Sequence, residues 1–287
     1  MSVEIHDRTR CLLGEGPLWH PERQELFWFD ILDHTLMVNR DGKTVAARIG
    51  EYTSAAGWID RDTLLIASAK ALHIHNLETG ATEDLCALEA DNSVTRSNDG
   101  RADPWGGFWI GTMGIEAEDG AGAIYRYYKG ELRKLYDKLT ITNAICFHPS
   151  EPLAYWTDTP TQIIHRTPLD EATGWPAGDP EIHIDLRGSD HKSDGAVTDA
   201  DGNLWSAQWG SWRVACYNPS GEFLRDVRFG AKQTSCPAFG GPDLTTLFCT
   251  TASVGIPEDE LGEHPDTGKV FAAPETARGH PEHRVIL

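Results

Sequence analysis

Acidic and amide side chains recur at one place in a repeated sequence pattern, and their oxygen atoms suit a metal ion. Glu15 lies in LGEGP, Asn98 in RSNDG, Asn143 in ITNAI and Asp194 in KSDGA. Two carboxylates supply about two negative charges, which balance a divalent cation, while neutral amides add ligands without quenching its electrophilicity. Oxygen ligation favours Ca²⁺, Mg²⁺ or Mn²⁺ and tolerates Fe²⁺ or Zn²⁺. We therefore expect one divalent cation where these side chains meet.

Turn capping is the alternative explanation for each of these residues, because Asp and Asn commonly bond to nearby backbone groups. The other two equivalent positions of the pattern hold Ala56 and Cys236. Oxygen-bearing side chains occupy four of the six equivalent positions, and turn capping explains such a set less readily than it explains any one of them. The pattern by itself leaves both interpretations open.

The repeated pattern predicts the elements that position these residues. An apolar run, a turn rich in Asp, Gly or Pro, and an aromatic run such as LFWFDI or LWSAQW recur about every 40 to 50 residues, which is typical of propeller blades. The first strand of each blade follows the central channel, so equivalent positions converge at one face. We expect an all-β, six-bladed β-propeller with four-stranded blades around a central metal-containing channel, forming a single domain over residues 1–287.

The two ends of the chain contain candidate strands. VEIHD near the start and HRVIL at the end are expected to meet in one blade and close the ring, which removes an open sheet edge. Two longer stretches, residues 116–122 and 179–192, are expected to form loops at the rim.

Composition excludes several functional classes. The formal charge is −19, from 44 acidic and 25 basic residues, which disfavours binding to nucleic acid or to an anionic membrane surface. The sequence has no apolar run long enough to span a membrane, and its start lacks the apolar core of a secretory signal, so we expect a cytoplasmic protein. The six cysteines form no CxxC pair and are interpreted as reduced, mostly packing residues. We expect a monomer or a small homo-oligomer.

Five motifs in this order resemble the senescence-marker-protein/gluconolactonase/luciferin-regenerating-enzyme family. They are LGEGPLWHPERQELFWFDI, RSNDGRADPWGGFWIGTM, ITNAICF with YWTDT, SDGAVTDADGNLWSAQW, and CPAFGGPDLTTLFCTTA. The resemblance covers about residues 11–273, and FGGPDL and TGKVFAAP are most similar to bacterial sugar lactonases. It implies a six-bladed propeller with one divalent metal in its channel.

The resemblance implies roles for individual residues. The Glu of GEGP, the Asn of TNA and the Asp of SDG make Glu15, Asn143 and Asp194 the expected metal ligands. The RSND motif makes Arg96 and Asn98 expected substrate contacts, with Asp99 beside them. The sequence departs from the commoner TNG and PDG wording at Ala144 and Ser193, which leaves the ligands intact but puts the local backbone shape in question.

The chemistry expected of such a site is hydrolysis of a sugar lactone, with Asp194 as the general base. Glu116 and His191 lie on the expected rim loops and are further candidate substrate contacts. Trp19 and Trp209 are candidate pocket walls, with the core as the alternative. A metal-dependent esterase or organophosphate hydrolase is an alternative enzymatic hypothesis, and a noncatalytic calcium-binding propeller is an alternative from outside the enzymes. Because the protein is strongly acidic and would not attract an anion at long range, we expect neutral five- or six-membered aldonolactones to be accepted, with a lactone bearing a terminal sulfonate or carboxylate as the alternative.

Overall fold

Short aromatic and branched runs separated by tight turns form six antiparallel sheets of four strands each. The computed structural model describes residues 2–287. The first strands of successive sheets contact each other in a closed cycle, so the sheets surround a central channel. The fold is a six-bladed β-propeller, as the sequence predicts. These innermost strands are β2 (Gly14–His20), β6 (Ala55–Asp60), β10 (Thr95–Ala102), β14 (Thr142–Phe147), β18 (Lys192–Thr198) and β22 (Gln233–Gly240).

The second and third strands carry most of the core between the blades. Trp28, Trp109 and Trp205 are fully buried on second strands, which explains the repeated aromatic run. The second strands are β3 (Glu25–Asp30), β7 (Thr63–Ala67), β11 (Phe108–Gly114), β15 (Leu153–Asp158), β19 (Leu204–Trp209) and β23 (Thr246–Ala252). The third strands are β4 (Thr35–Arg40), β8 (Ala71–Asn76), β12 (Gly122–Tyr128), β16 (Ile163–Pro168), β20 (Arg213–Tyr217) and β24 (Val270–Ala273).

The outermost strands are largely exposed and polar. They are β5 (Lys43–Arg48), β9 (Thr82–Ala87), β13 (Glu131–Leu139), β17 (Glu181–Asp185), β21 (Phe223–Arg228) and, in the sixth blade, β1 (Glu4–Asp7). A 3₁₀ turn (Thr159–Thr161) follows β15, and a short helix, α1 (Glu258–Glu263), precedes β24. Among the described residues no helix is long and apolar enough to cross a membrane.

The ring closes with the N-terminal strand alone. β1 pairs with β24 in an antiparallel ladder, so the start of the chain completes the blade that its last strands build. The expectation that HRVIL joins the same blade is wrong. Residues 283–287 form no strand and instead cross the far end of the channel, where the Val285 and Ile286 amides donate to the carbonyls of Trp58 (2.8 Å) and Gly106 (2.8 Å).

The expected rim loops are found only in part. Of the stretch 116–122, residues 116–121 lie in the connection between β11 and β12, as expected for a loop, and Gly122 begins β12. The stretch 179–192 is not one loop, because β17 occupies its middle and pairs with β16. The six cysteines form no disulfide, and five of them are buried. Burial raises the pKa of the Cys236 thiol well above its usual range, which fits packing rather than nucleophilic chemistry.

A β-bulge interrupts five of the six innermost strands at nearly the same height. The register shifts between Glu15 and Leu18, and corresponding shifts follow Ser97, Asn143, Ser193 and Thr234. A bulge bends the strand and re-aims the side chains beside it. The repeated polar residues therefore lie where the strands bend at one end of the channel.

Two of these bulges contain a residue with left-handed backbone geometry. Gly16 has φ 53° in the first blade, and Ala144 has φ 56° at the matching position of the fourth. A Cβ at Gly16 would collide with the Ser54 carbonyl oxygen, so only glycine fits there. Ala144 instead places its methyl group in a buried cluster with Cys146 and Tyr155. The alanine that replaces the commoner glycine thus leaves the bulge conformation in place.

Exchanging glycine and alanine at these two positions should affect stability differently. Gly16→Ala should lower the free energy of unfolding by at least about 2 kcal/mol, because it adds left-handed strain to a backbone collision. Ala144→Gly should change it by less than about 1 kcal/mol, because relief of about 1–2 kcal/mol of strain offsets a lost buried methyl and a more flexible unfolded chain. Urea unfolding measures both. A marked loss of stability in Ala144→Gly would contradict the matched-bulge interpretation.

Candidate functional site

A cavity of about 420 Å³ opens at the end of the channel where the bulges lie. The side chains at its floor come from four different blades. They are Glu15, Arg96, Asn98, Asn143 and Asp194. All five are buried, and none is more than 7% exposed. The structure therefore brings together five of the residues that the sequence predicts for the site.

Glu15 and Asn143 are held in the same way on opposite blades. Each follows a short loop whose backbone amides are bound by an aspartate at the end of the blade's second strand. Asp30 accepts from Leu12 N (2.8 Å) and Leu13 N (3.0 Å). Asp158 accepts from Thr140 N (3.1 Å) and Ile141 N (2.8 Å). The FWFD and YWTD motifs thus fix the direction from which each site residue enters the cavity.

Asn98 and Asp194 lie at a different position relative to the bulge from Glu15 and Asn143. Glu15 and Asn143 are the last paired residues before their bulges, whereas Asn98 and Asp194 lie inside theirs. The four positions are therefore not equivalent in the strand ladders, as the repeat pattern suggested. The glycine after Asp194 has a packing reason, because a Cβ at Gly195 would collide with the Cys236 side chain of the next blade.

A chain of hydrogen bonds crosses the floor between the third and fourth blades. Arg96 Nη1 donates to Asn98 Oδ1 (2.9 Å) and to the Ser97 carbonyl oxygen (2.9 Å). Asn98 Nδ2 donates to Asn143 Oδ1 (3.1 Å) and to the Thr142 carbonyl oxygen (2.8 Å). Both amide protons of Asn98 are thus bound within the protein. Its position suits the orientation of Arg96 and Asn143 better than direct contact with a substrate.

Thr159 determines which end of the Asn143 amide faces the floor. Its hydroxyl has one proton, which it donates to the Ser193 carbonyl oxygen (2.8 Å). The same hydroxyl must then accept from Asn143 Nδ2 (2.9 Å). The oxygen of Asn143 is therefore directed to Asn98 and the cavity, with one lone pair left for a further partner.

The floor concentrates negative charge away from water. Burial raises the pKa of Glu15 to about 8, and the nearby Asp99 carboxylate adds to the effect. Burial raises the pKa of Asp194 well above its usual range, and repulsion by Glu15 and Asp99 adds to it. Burial lowers the pKa of Arg96 to about 10, although Glu15 and Asp194 partly compensate. Two carboxylates therefore share a buried space with one cationic side chain.

The donor set fits a hard divalent cation. The one amide that donates to the Glu15 side chain is that of Gly16, at 3.1 Å, and no ion pair of Glu15 or Asp194 occurs among residues 2–287. Two carboxylates and an oriented amide oxygen would supply three oxygen ligands and about two negative charges. The described part of the chain contains no cluster of three or more His, Cys, Asp or Glu residues suited to a metal. A cation site here depends on the amide.

Three expected substrate contacts lie outside the cavity lining. Asp99 is buried beside the floor, and its Oδ2 accepts a hydrogen bond from Ile145 N (2.7 Å), which joins the third and fourth blades. Burial raises the pKa of Asp99 to about 6. Glu116 is exposed on the loop between β11 and β12. His191 faces Ser211 Oγ (3.1 Å) on a separate surface depression. Its neighbour Lys192 lines the cavity instead.

Apart from Trp209, the other lining residues were not singled out by the sequence analysis. Thr159 lies directly after the YWTD motif, so its place at a blade's second-strand end could have identified it. Trp209 lines the cavity, whereas Trp19 is stacked on Phe248 in the core, with ring centroids 5.7 Å apart. The remaining lining side chains are apolar. They are Leu13, Leu32, Met113, Ile115, Ile141, Pro160 and Val254.

Comparison with known proteins places the chain in a family. Residues 13–253 match the profile described as the SMP-30/Gluconolactonase/LRE-like region. The chain belongs to this family. It is 39% identical to a Rhizobium meliloti protein whose name assigns it to the sugar lactone lactonases, over 90% of this chain and 88% of that protein.

Two further relatives support this placement. The 6-deoxy-6-sulfogluconolactonase of Pseudomonas putida is 31% identical, with 92% of each chain covered. The crystal structure of regucalcin from Agrobacterium tumefaciens, described as a calcium-binding protein, matches with a TM-score of 0.97 and 37% identity. That match covers 100% of this chain and 98% of the other.

The role of Thr159 predicts a stability effect in metal-free protein. Thr159→Val leaves Asn143 Nδ2 and the Ser193 carbonyl oxygen buried without their partner, which should cost about 1–3 kcal/mol of unfolding free energy. Thr159→Ser keeps the hydroxyl and should recover most of that loss. Urea unfolding in the presence of chelator measures both variants. Equal stabilities of the valine and serine variants would show that the hydroxyl does not orient Asn143.

Proposed function

We propose that the protein hydrolyses a sugar-acid lactone to the free acid, using one divalent cation held by Glu15, Asn143 and Asp194. The observation that carries this proposal is the floor itself, where two buried carboxylates meet an amide oxygen oriented by Thr159. Relatives of the same family named as lactonases, which act on cyclic esters, support the reaction class. The calcium-binding description of the regucalcin structure supports a divalent cation.

The bound cation would supply Lewis acidity at the lactone carbonyl and a more acidic hydrolytic water. Arg96 uses only Nη1 for hydrogen bonds among residues 2–287, so Nε and Nη2 remain for the substrate. They would donate to the carbonyl oxygen as negative charge develops on it. Asn98 holds the guanidinium in place.

Asp194 is the proposed base. It would take a proton from the water whose oxygen forms a bond to the carbonyl carbon, and return it to the ring oxygen as the ring C–O bond breaks. Burial raises the pKa of Asp194 in the cation-free floor, and a bound cation would lower it again, so the carboxylate that accepts the proton would be ionised when the cation is held. Water is consumed and one acid is formed, so no further reactant is needed.

The first test separates ligands from a substrate contact. Chelation should abolish lactone hydrolysis, and Mg²⁺, Mn²⁺, Ca²⁺, Zn²⁺ or Fe²⁺ should restore it to differing extents. Glu15→Gln, Asn143→Ala and Asp194→Asn should weaken cation binding by at least about 100-fold in calorimetry, beyond the loss expected for an outer-shell partner. Arg96→Gln should bind the cation and lose about 100-fold in kcat/KM, as removal of an oxyanion donor does.

The control for these variants is Glu83→Gln. Glu83 is an exposed carboxylate on the outer strand β9, so its replacement should leave both cation binding and kcat/KM unchanged. Full activity in protein shown by elemental analysis to hold no metal would contradict the mechanism. Tight cation binding with no turnover on any lactone would favour the noncatalytic calcium-binding alternative.

The second test concerns substrate charge. The protein's net charge of −19 repels anionic lactones at long range, so we expect a neutral aldonolactone to have the higher kcat/KM at low salt. Lys192 lines the cavity and forms no ion pair within the described residues, so it is the group that would favour an anion locally. The comparison uses one neutral and one sulfonated or carboxylated lactone, at low and high salt.

Lys43→Ala, on the exposed strand β5, is the control for Lys192→Ala. A strong preference for the anion in the parent that disappears in Lys192→Ala but not in the control would overturn the expectation of a neutral substrate. A neutral preference that weakens at high salt would support it.

A further inference from the structure

Above its polar floor, the cavity has apolar walls. Eight of its lining side chains carry no charge or hydrogen-bonding group that a sugar hydroxyl would require, with the indole nitrogen of Trp209 as the one partial exception. They are Leu13, Leu32, Met113, Ile115, Ile141, Pro160, Trp209 and Val254. Of the polar lining groups above the floor, the Thr159 hydroxyl is already paired on both sides, which leaves Lys192.

The apolar residues other than Trp209, which belongs to the fifth blade, form two walls on opposite sides of the ring. Met113, Ile115, Ile141 and Pro160 come from the third and fourth blades. Leu13 and Leu32 come from the first blade, and Val254 follows the sixth blade's second strand. The space above the floor is therefore a slot between two apolar surfaces, which we call the apolar slot.

The walls are fixed by backbone pairing and so are formed before a ligand arrives. Met113 and Ile141 are joined by an isolated β-bridge between neighbouring blades. Val254 N donates to the Leu12 carbonyl oxygen (2.9 Å), which joins the sixth blade to the first. A preformed apolar slot favours a ligand that already has a matching apolar part, because little ordering is needed on binding.

A polyhydroxylated chain and an apolar chain of a ligand would bind in this slot with different affinities. Hydroxyl groups that enter it exchange water for aliphatic side chains and lose hydrogen bonds without replacement. Each methylene that enters it leaves water for an apolar surface, which corresponds to about a fourfold gain in binding per CH₂. The walls thus discriminate at the part of the substrate that lies above the reacting carbonyl.

We propose that the preferred lactone bears an apolar substituent, a deoxy or alkyl group, on the ring carbon next to the ring oxygen. This is the carbon from which the exocyclic chain of an aldonolactone projects, so the carbonyl stays at the floor while the substituent enters the apolar slot. The inference rests on the proposed lactonase function and specifies its substrate class. Met113, Ile115, Ile141 and Val254 are then specificity-determining residues.

The experiment uses the cation-loaded protein and a homologous series of δ-lactones, with hydrogen, methyl, propyl or pentyl on that carbon, beside glucono-δ-lactone and a 6-deoxy aldonolactone. Hydrolysis is followed by proton release. We expect kcat/KM to rise about fourfold per CH₂ until the slot is filled, and the 6-deoxy lactone to exceed its hydroxylated counterpart.

Wall variants test whether the slot causes this trend. Val254→Asn and Ile115→Asn should each reduce the gain per CH₂ to less than about twofold, because an amide replaces aliphatic surface. Val254 is 36% exposed, so its variant should fold even if Ile115→Asn does not. Ile182→Asn is the matched control, since Ile182 is exposed on the outer strand β17, and it should keep the parent's slope.

The outcomes separate the inference from the function on which it rests. Hydrolysis of glucono-δ-lactone with a flat alkyl series, or an unchanged slope in folded Val254→Asn, would overturn the inference alone. Absence of hydrolysis for every lactone, in protein shown to hold its cation, would overturn the proposed function and the inference with it.

Discussion

Two carboxylates buried without an ion-paired partner are the constraint around which this end of the propeller is organised. Glu15 and Asp194 come from different blades and face the same small space, where burial disfavours their charged forms. An arrangement of this kind costs stability, and natural proteins retain such costs mainly at functional sites. The surrounding bulges, loop anchors and hydrogen bonds serve to hold it in place.

Each blade contributes to the site through its neighbour as well as through itself. Asn143 belongs to the fourth blade, but Asn98 of the third blade and Thr159, which is tied to Ser193 of the fifth, set its orientation. Asp99 of the third blade binds the Ile145 amide of the fourth. Because these bonds cross between blades, the floor has its geometry only when the third, fourth and fifth blades are packed together.

The sequence could predict the six blades and the residues at the floor, because turns, aromatic strands and polar positions all repeat with the blade period. It could not predict the offset between Glu15 and Asn98 in the ladders, because the innermost strands are buried on both faces and have no polar and apolar alternation that would mark a bulge. The role of Thr159 also escaped prediction, since it depends on which hydroxyl proton goes to which acceptor. The apolar slot is built from strand-end and loop residues of several blades, and no local pattern places them together.

Residues after β24 cover the far end of the channel. They run across this end, and Glu282 pairs there with Arg101, a buried side chain on the innermost strand of the third blade. Trp58 Nε1 donates to the Glu282 carbonyl oxygen (2.9 Å), which fixes the crossing segment to the second blade. Arg101 thus lies between the acidic floor and Glu282, so charges alternate along the channel. None of these far-end residues lines the cavity, so the floor is reached from the end at which the apolar slot lies.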